Sequence, residues 1–493
     1  TNLLAVETNK GRSQFFDVSL FDMKDGIADD ILMTPGQPNI LRGPNGFEWW
    51  LIYMANKNNE HRGQYINRVQ FFDKTLFVDG ITSPRTMGYH PEPSMPTFAG
   101  KGETASFGVL QQVQPSVAYL FETGVKTEGG AGVIAWWKDA DNCAYVGLDA
   151  ENRSWYLRTL VGGKENKESY ALPEDFHWGV YHHLRIERNG GCLKIWLDEI
   201  PAPGRHVFAE AVPAEEAGVP GVFDETKSAL FEGATYTIGF DDVHFQLSGN
   251  EELLKGDFLN DYELSFQLSG LSGQDKAGSY PVYVDKDNYV KAQFDGITRM
   301  LEVTAVKKGK TAWKKEFPLG CLQTLYPDVK YTDFIEKGYR FAAPAWLDTI
   351  YLNRHEAGNK SEFVDDMFGK FDIEYLNGGE WHPIENKDRG IAEHPAYNYC
   401  TFTPVKAEGI RFINKEAEDL ERHIYKIGVH ELWKESYNFR AVRRADKLYL
   451  FVDGRELGAL DIRYPASRIG FCSEGGSPVY SGTLYYHVGQ RRD

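Results

Sequence analysis

The chain repeats itself, and this constrains its fold more than any other feature of the sequence. AGVIAWWKDADNCAYV begins at Ala131 and AGSYPVYVDKDNYVKA at Ala277. Both open with Ala-Gly and carry Asp-x-Asp-Asn at the same offset, Asp139 to Asn142 and Asp285 to Asn288. Apolar residues flank each motif, so each stretch reads as a strand, a polar turn and a returning strand. A second pair follows: RIERNGGCLKIWLD from Arg185 to Asp198 and RAVRRADKLYLFVD from Arg440 to Asp453, equal in length, each with a polar turn between alternating strands. Two β-sandwiches of one kind explain both matches.

The spacing between the paired blocks exposes an insertion. Asp141 and Asp198 lie 57 positions apart, whereas Asp287 and Asp453 lie 166 apart. The surplus of 109 residues is the size of a small domain and falls between about residues 325 and 436. Inside it, WLDTIYL (Trp346 to Leu352), FDIEYLNGGEWHPI (Phe371 to Ile384) and YCTFTPVKAEGIRFI (Tyr399 to Ile413) are short alternating strands. Asn377-Gly378-Gly379 supplies a turn where positive φ is needed.

Composition agrees with an all-β chain. Aromatic residues make up 14% of the 493, with 49 Gly, and hydrophobic residues reach 42%, enough for packed cores. The net charge of −17 argues against nucleic acid and against an anionic membrane surface, both of which need clustered Lys and Arg. A neutral polysaccharide is compatible with it. No apolar run is long enough to span a bilayer. Cys143, Cys192, Cys321, Cys400 and Cys472 lie far apart with no C-x-x-C, which excludes a zinc ribbon and disfavours a dense disulfide framework. The chain begins at Thr1 without Met or a signal-like segment, so a leader or something larger is expected to precede it.

Several local motifs have plainer readings. Gly130-Ala131-Gly132 with Ala135 matches G-x-G-x-x-A, but a strand and a turn follow where a dinucleotide site needs a helix. Trp136 and Trp137 suggest a sugar-stacking platform; neighbours on a strand face opposite ways, so at most one is exposed, and core packing is the stronger expectation. Trp381 is likewise expected in a core. His182-His183 diverge for the same reason and lack a carboxylate cluster at ligand spacing.

Residues 1–90 differ in character. PGQPNILRGPNGFEWWLIYMAN runs from Pro35 to Asn56, and RGQYINRVQFFDKTLFVDG from Arg62 to Gly80. A Gly43-Pro44-Asn45-Gly46 turn, a Trp/Tyr-rich strand at Trp49 to Tyr53 and the Asn67-Arg68-Val69 sequence occur in that order. This resembles the last blade of the five-bladed β-propeller of glycoside hydrolase family 43, and LLAVETNKGRSQFFDVSLF (Leu3 to Phe21) looks like a strand–turn–strand from the preceding part. The sandwiches, through FEGATYTIGFDDVHF (Phe231 to Phe245) and the Ala-Gly…Asp-x-Asp-Asn block, resemble concanavalin-like (laminin-G-like) modules, and the insert resembles a discoidin-type jelly roll.

The resemblance implies a fold and a function. The fold is all-β: a partial propeller segment (1–90), a first sandwich (91–250), a second sandwich (251–325 and 437–493) and a discoidin-like insert interrupting it (326–436). The function is hydrolysis of arabinose-, xylose- or galactose-containing glycans by an inverting acid/base pair of carboxylates, in a secreted or periplasmic protein. The family's catalytic carboxylates belong to earlier blades, so they are expected upstream of Thr1, in a propeller portion of the same enzyme. Arg62 falls where the family aims an Arg at the sugar pocket. Gln37, taken with Arg62 as a candidate substrate contact, stands where some members carry a metal-associated His, which speaks against a central-cavity metal. The chemistry requires no cofactor; the resemblance adds a structural calcium at Asp241, beside Asp242. The alternative is a non-catalytic, multi-module carbohydrate-binding protein.

Overall fold

The computed structural model describes residues 32–57, 61–72, 75–78, 98–99, 107–111, 113–271, 275–296, 300–319, 321–324, 334–335, 337–353, 367–385, 387–393, 396–414, 426–431, 436–453 and 455–489. The LLAVETNKGRSQFFDVSLF segment lies outside them. The protein is all-β; a single 3-10 turn, Met367–Lys370, is the helical element among the described residues.

The two halves of the repeat fold alike, down to their hydrogen bonds. In each, the Asp of the Asp-x-Asp-Asn motif bends the chain with its own side chain: Asp139 accepts from the Asp141 amide and the Asn142 amide group, both at 2.9 Å, and Asp285 from Asp287 and Asn288 at 2.8 and 2.9 Å. The hairpin Tyr181–Asn189 with Cys192–Leu197 matches the hairpin Ser436–Arg444 with Lys447–Val452. Corresponding arginines, Arg188 and Arg443, are buried at 1% exposure. Arg188 donates to the carbonyls of Gly190, Ser116, Pro213 and Glu216 at 2.6–3.1 Å. Arg443 donates to those of Ala445, Tyr464 and Pro465 and to the Ser467 hydroxyl. Each thereby ties a hairpin to the loops below it.

One six-stranded sheet runs in the order Lys164–Ala171, Ser154–Val161, Asn142–Asp149, Gly130–Asp139, Val219–Asp224, Phe107–Val109. A second runs Asn250–Leu259, Ser467–Glu474, Lys276–Asp285, Asn288–Asp295, Met300–Lys307, Lys310–Pro318. Both pack on one 12-stranded sheet. Strand Leu230–Gln246 makes that sheet continuous: its first half pairs with Ala118–Lys126 and its second with Val479–His487. Gly239, at φ 156°, marks the change of partner, and a Cβ there would lie 2.3 Å from the Tyr485 carbonyl oxygen.

Alternation along the strands sorts the two faces of the large sheet. Tyr119, Phe121, Tyr262, Leu264, Phe266 and Tyr485 point into the common core beneath both six-stranded sheets. Leu120 and Tyr486 point the other way, against Phe47 of the N-terminal sheet.

The chain between Cys321 and Glu431 forms a separate seven-stranded sheet with its own core of Leu347, Ile350, Ile373, Ile410 and Phe412. Its long strand Ala396–Asn414 pairs with Tyr339–Asn353 from Tyr397 to Ile410, with register shifts, and with Asp388–Glu393 at one end and Phe371–Asn377 at the other. Gly378 and Gly379 take positive φ, 60° and 83°, in the turn read from the sequence. Trp381 departs from expectation: it is half-buried, with the Arg411 guanidinium carbon 4.6 Å from its ring centre, because its short strand Glu380–Pro383 lies at the sheet edge.

Candidate functional site

The N-terminal sheet is a four-stranded antiparallel meander, Leu32–Arg42, Trp49–Lys57, His61–Phe72 and Thr75–Val78. Its Pro-Asn-Gly turn is built by Asn45, whose side-chain oxygen accepts from the amides of Phe47 and Glu48 at 3.0 and 3.1 Å, with Gly46 at φ 78°. That turn presses Phe47 flat on Tyr486, ring centres 5.7 Å apart. Beside it Arg68 is fully enclosed. It donates to Glu48 at 2.5 Å, to the Tyr486 hydroxyl at 2.9 Å and to Glu263 at 2.7 Å. Burial opposes its charge, but Glu263, Tyr486 and Glu48 outweigh burial and keep it protonated. The Arg-Val pair that carries the blade resemblance therefore anchors the meander to the sandwiches.

Gln37 lies midway along its strand, level with Tyr53, and Arg62 lies near the far end of the sheet from the Pro-Asn-Gly turn. Gln37 is exposed, in an irregular stretch between Gly36 and Asn39, at φ 51°. Arg62 sits opposite Asn56 in the register; its side chain is outside the described residues. The sheet does not bring these two positions together, and Asp241 lies elsewhere, on strand Leu230–Gln246.

Asp241 lies on strand Leu230–Gln246 opposite Leu484 and lines a cavity of about 10 Å³ with Phe47, Tyr119, Glu187, Cys192 and Lys194. Such a space holds one water and no sugar. Burial, with Glu187 adding to it, pushes the Asp241 carboxyl up to about 6. The nearby carboxylates already carry fixed cations: Glu187 is bound by Arg185 at 2.6 Å and approached by Lys194 at 3.5 Å, and Asp242 is held by Asn189 at 2.7 Å and by Lys255. Calcium takes six to eight oxygens, and among the described residues no group of three or more His, Cys, Asp or Glu is placed to hold a metal. The donor set around Asp241 does not fit that ion. His182 and His183 diverge: His182 meets Asp198 at 2.7 Å and the His177 carbonyl at 2.6 Å, while His183 lies 3.0 Å from Glu199.

The arrangement best suited to a saccharide is the outer face of the first six-stranded sheet. Trp136 is buried in the common core, and Trp137, one residue on, emerges half-buried on the outer side. There it joins Ile134, Tyr145, Tyr156 and Phe223. Arg158 lies over the Tyr145 ring at 4.7 Å and Lys167 over Tyr156 at 4.1 Å. Burial raises the Tyr145 hydroxyl to about 12. Arg158 has no carboxylate partner among the described residues. Gly132 and Gly147 form the floor; a Cβ on Gly132 would lie 2.1 Å from the Val146 oxygen, and one on Gly147 would strike the Tyr156 ring at 2.4 Å. Aromatic walls with a few fixed polar donors and no committed charge suit a ring with one apolar face and a rim of hydroxyls. Strand alternation marks one of Trp136 and Trp137 as outward; the partners Tyr145 and Arg158 come from other strands and leave no local signal.

No family profile and no curated protein matches the chain. Among solved structures it is similar to a carbohydrate-binding module from Bacillus subtilis, at 15% identity over 41% of this chain and 93% of that one, TM-score 0.21. It is also similar to a β-fructofuranosidase from Aspergillus kawachii, at 10% identity over 93% and 71%, TM-score 0.25. A GH43 protein from Bacillus licheniformis is similar at 9% identity over 93% and 86%, TM-score 0.23. At this level of likeness nothing about activity carries over.

Proposed function

We propose that the protein binds neutral glycans and that the outer face of the first sandwich, around Trp137, Tyr145 and Arg158, is a site that does so. The observation behind this is the half-buried Trp137 on the same outer face as a guanidinium that lies over Tyr145 with no carboxylate to neutralise it among the described residues. Affinity electrophoresis on soluble arabinan, arabinoxylan and galactan tests it. Retardation by at least one of them, reduced tenfold or more in apparent affinity by Trp137→Ala, is the expected result; a tenfold loss corresponds to about 1.4 kcal/mol. No retardation on any glycan overturns the reading.

A second reading is favoured by the N-terminal meander, whose turn and Arg-Val pair resemble those of a propeller blade. In it the modules, with boundaries near residues 90, 250, 325 and 436, serve a secreted or periplasmic family 43-like hydrolase. The sandwiches then shape substrate preference while the acid/base carboxylates lie outside this chain. Release of nitrophenol from p-nitrophenyl α-L-arabinofuranoside, β-D-xyloside or β-D-galactoside by the full protein supports it. Inactivity on all three counts against it and leaves glycan binding standing.

A further inference from the structure

The repeat offset of 146 residues carries the register pair Trp137–Cys143 of the first sandwich onto Tyr283–Tyr289 of the second. Those tyrosines stand on the outer face of the second six-stranded sheet, stacked at 6.5 Å with rings 17° apart. Tyr280 meets Tyr289 edge-on at 5.3 Å. Arg468, opposite Tyr283 in the register, lies 5.8 Å from its ring and 5.4 Å from that of Phe258, which is 45% exposed. Like Arg158, Arg468 has no carboxylate partner among the described residues. On both outer faces an aromatic side chain thus stands at the equivalent position, Trp137 and Tyr283, and a guanidinium without a carboxylate partner lies over a tyrosine, Arg158 from the strand Ser154–Val161 and Arg468 from the non-corresponding strand Ser467–Glu474.

Charge indicates what covers the second face. On the same face Lys276 is matched by Asp295 at 2.7 Å, Lys291 by Glu474 at 2.6 Å and Lys314 by Glu302 and Glu316 at 2.8 and 3.1 Å. The face is dense in hydrogen-bonding groups yet nearly balanced, so it offers no field to a polyanion. Both six-stranded sheets also pack on the same face of the 12-stranded sheet, so each aromatic shelf lies on a face turned away from that sheet.

We propose that Tyr283, Tyr289, Arg468 and Phe258 form a second saccharide-binding face, and that the two faces engage one neutral polysaccharide chain together. This rests on the assignment of the first face to glycans. Joining two sites on one polymer makes the second contact intramolecular, which raises affinity for long chains far more than for short ones.

The test uses the full protein and three variants, Trp137→Ala, Tyr283→Ala and the double substitution. Phe258→Ala is added because an exposed side chain can be removed without loss of folding, verified by an unchanged unfolding midpoint. Binding is measured by calorimetry to the polysaccharide that retards the protein and to a trisaccharide cut from it. The expected result is two trisaccharides per chain, one for each single variant and none for the double, with polymer affinity falling tenfold or more in each single variant. One trisaccharide per chain, with Tyr283→Ala and Phe258→Ala binding polymer as the unaltered protein does, overturns the second face and leaves the first. If Tyr283→Ala alone abolishes binding and Trp137→Ala changes nothing, the two-face engagement falls together with the first-face assignment. No binding by the unaltered protein overturns both.

Discussion

Arg68 on the N-terminal meander donates to Glu263 on the strand Tyr262–Ser269 of the second sandwich at 2.7 Å, with both side chains inside the protein. Glu48 takes another nitrogen of the same guanidinium at 2.5 Å. One cation therefore serves two buried carboxylates. Removing it by Arg68→Met leaves both uncompensated and should destabilise the protein by about 3–5 kcal/mol. Glu263→Gln keeps an acceptor and should cost less. Urea denaturation followed by tryptophan fluorescence measures both.

Asp241 should give the pH profile of stability a recognisable slope. Its carboxyl titrates at about 6 in the folded protein, above the ordinary aspartate value of 3.8. The folded state then binds more protons than the unfolded state between those values, so stability falls as pH rises from about 4 to 6 and is flat above. Above about 6 the carboxylate is charged in the folded protein, and keeping it so weakens the fold by about 2–3 kcal/mol at neutral pH. Asp241→Asn, which mimics the protonated form, should abolish that slope and be the more stable protein at pH 7. A denaturation series from pH 4 to 8 shows whether it does.

The same surroundings bear on calcium. With Glu187 and Asp242 already held by Arg185, Lys194 and Lys255, millimolar calcium and EDTA should leave the thermal midpoint unchanged within about a degree. A rise of several degrees with calcium would show an ion bound to the folded chain.

The glycine floor of the sandwiches offers a contrast. Gly132→Ala and Gly278→Ala each place a methyl 2.1 Å from a backbone oxygen, of Val146 and of Ala292. Overpacking against backbone should cost about 1–3 kcal/mol or more. Gly108, with nothing within 4 Å of its missing Cβ, should accept Ala with little change. Paired denaturation curves compare them.

What is legible in the sequence follows from where the controlling interactions lie. The Asp-x-Asp-Asn turns and the two Arg-initiated hairpins are local, made by side chains bonding to backbone two or three residues on, so both copies can be seen and matched. Glycine pairs such as Gly378-Gly379 announce positive φ directly. The all-β class follows from the same alternation. Long-range pairings leave no such trace. Leu230–Gln246 reads as one strand, and nothing in its residues says that its two halves join different partners. Arg68 reads as part of a blade motif, while its partners Glu263 and Tyr486 lie 195 and 418 residues away. Arg188 and Arg443 look like ordinary charged residues in alternating strands, because the carbonyls that bury them come from distant loops. Asp241 stands out for its charge, and only the packed structure shows how Lys194, Glu187 and Lys255 share the space around it.

The strand shared between the two sandwiches makes them inseparable units. Were the chain cut after Gln246, the remaining half would present the strand Val479–His487 as a bare edge, its amides and carbonyls along seven paired positions without partners. Such an edge is a template for intermolecular strand addition. Each half of the duplicated architecture thus shields the other from aggregation, and the pair would be gained or lost together in any rearrangement of modules.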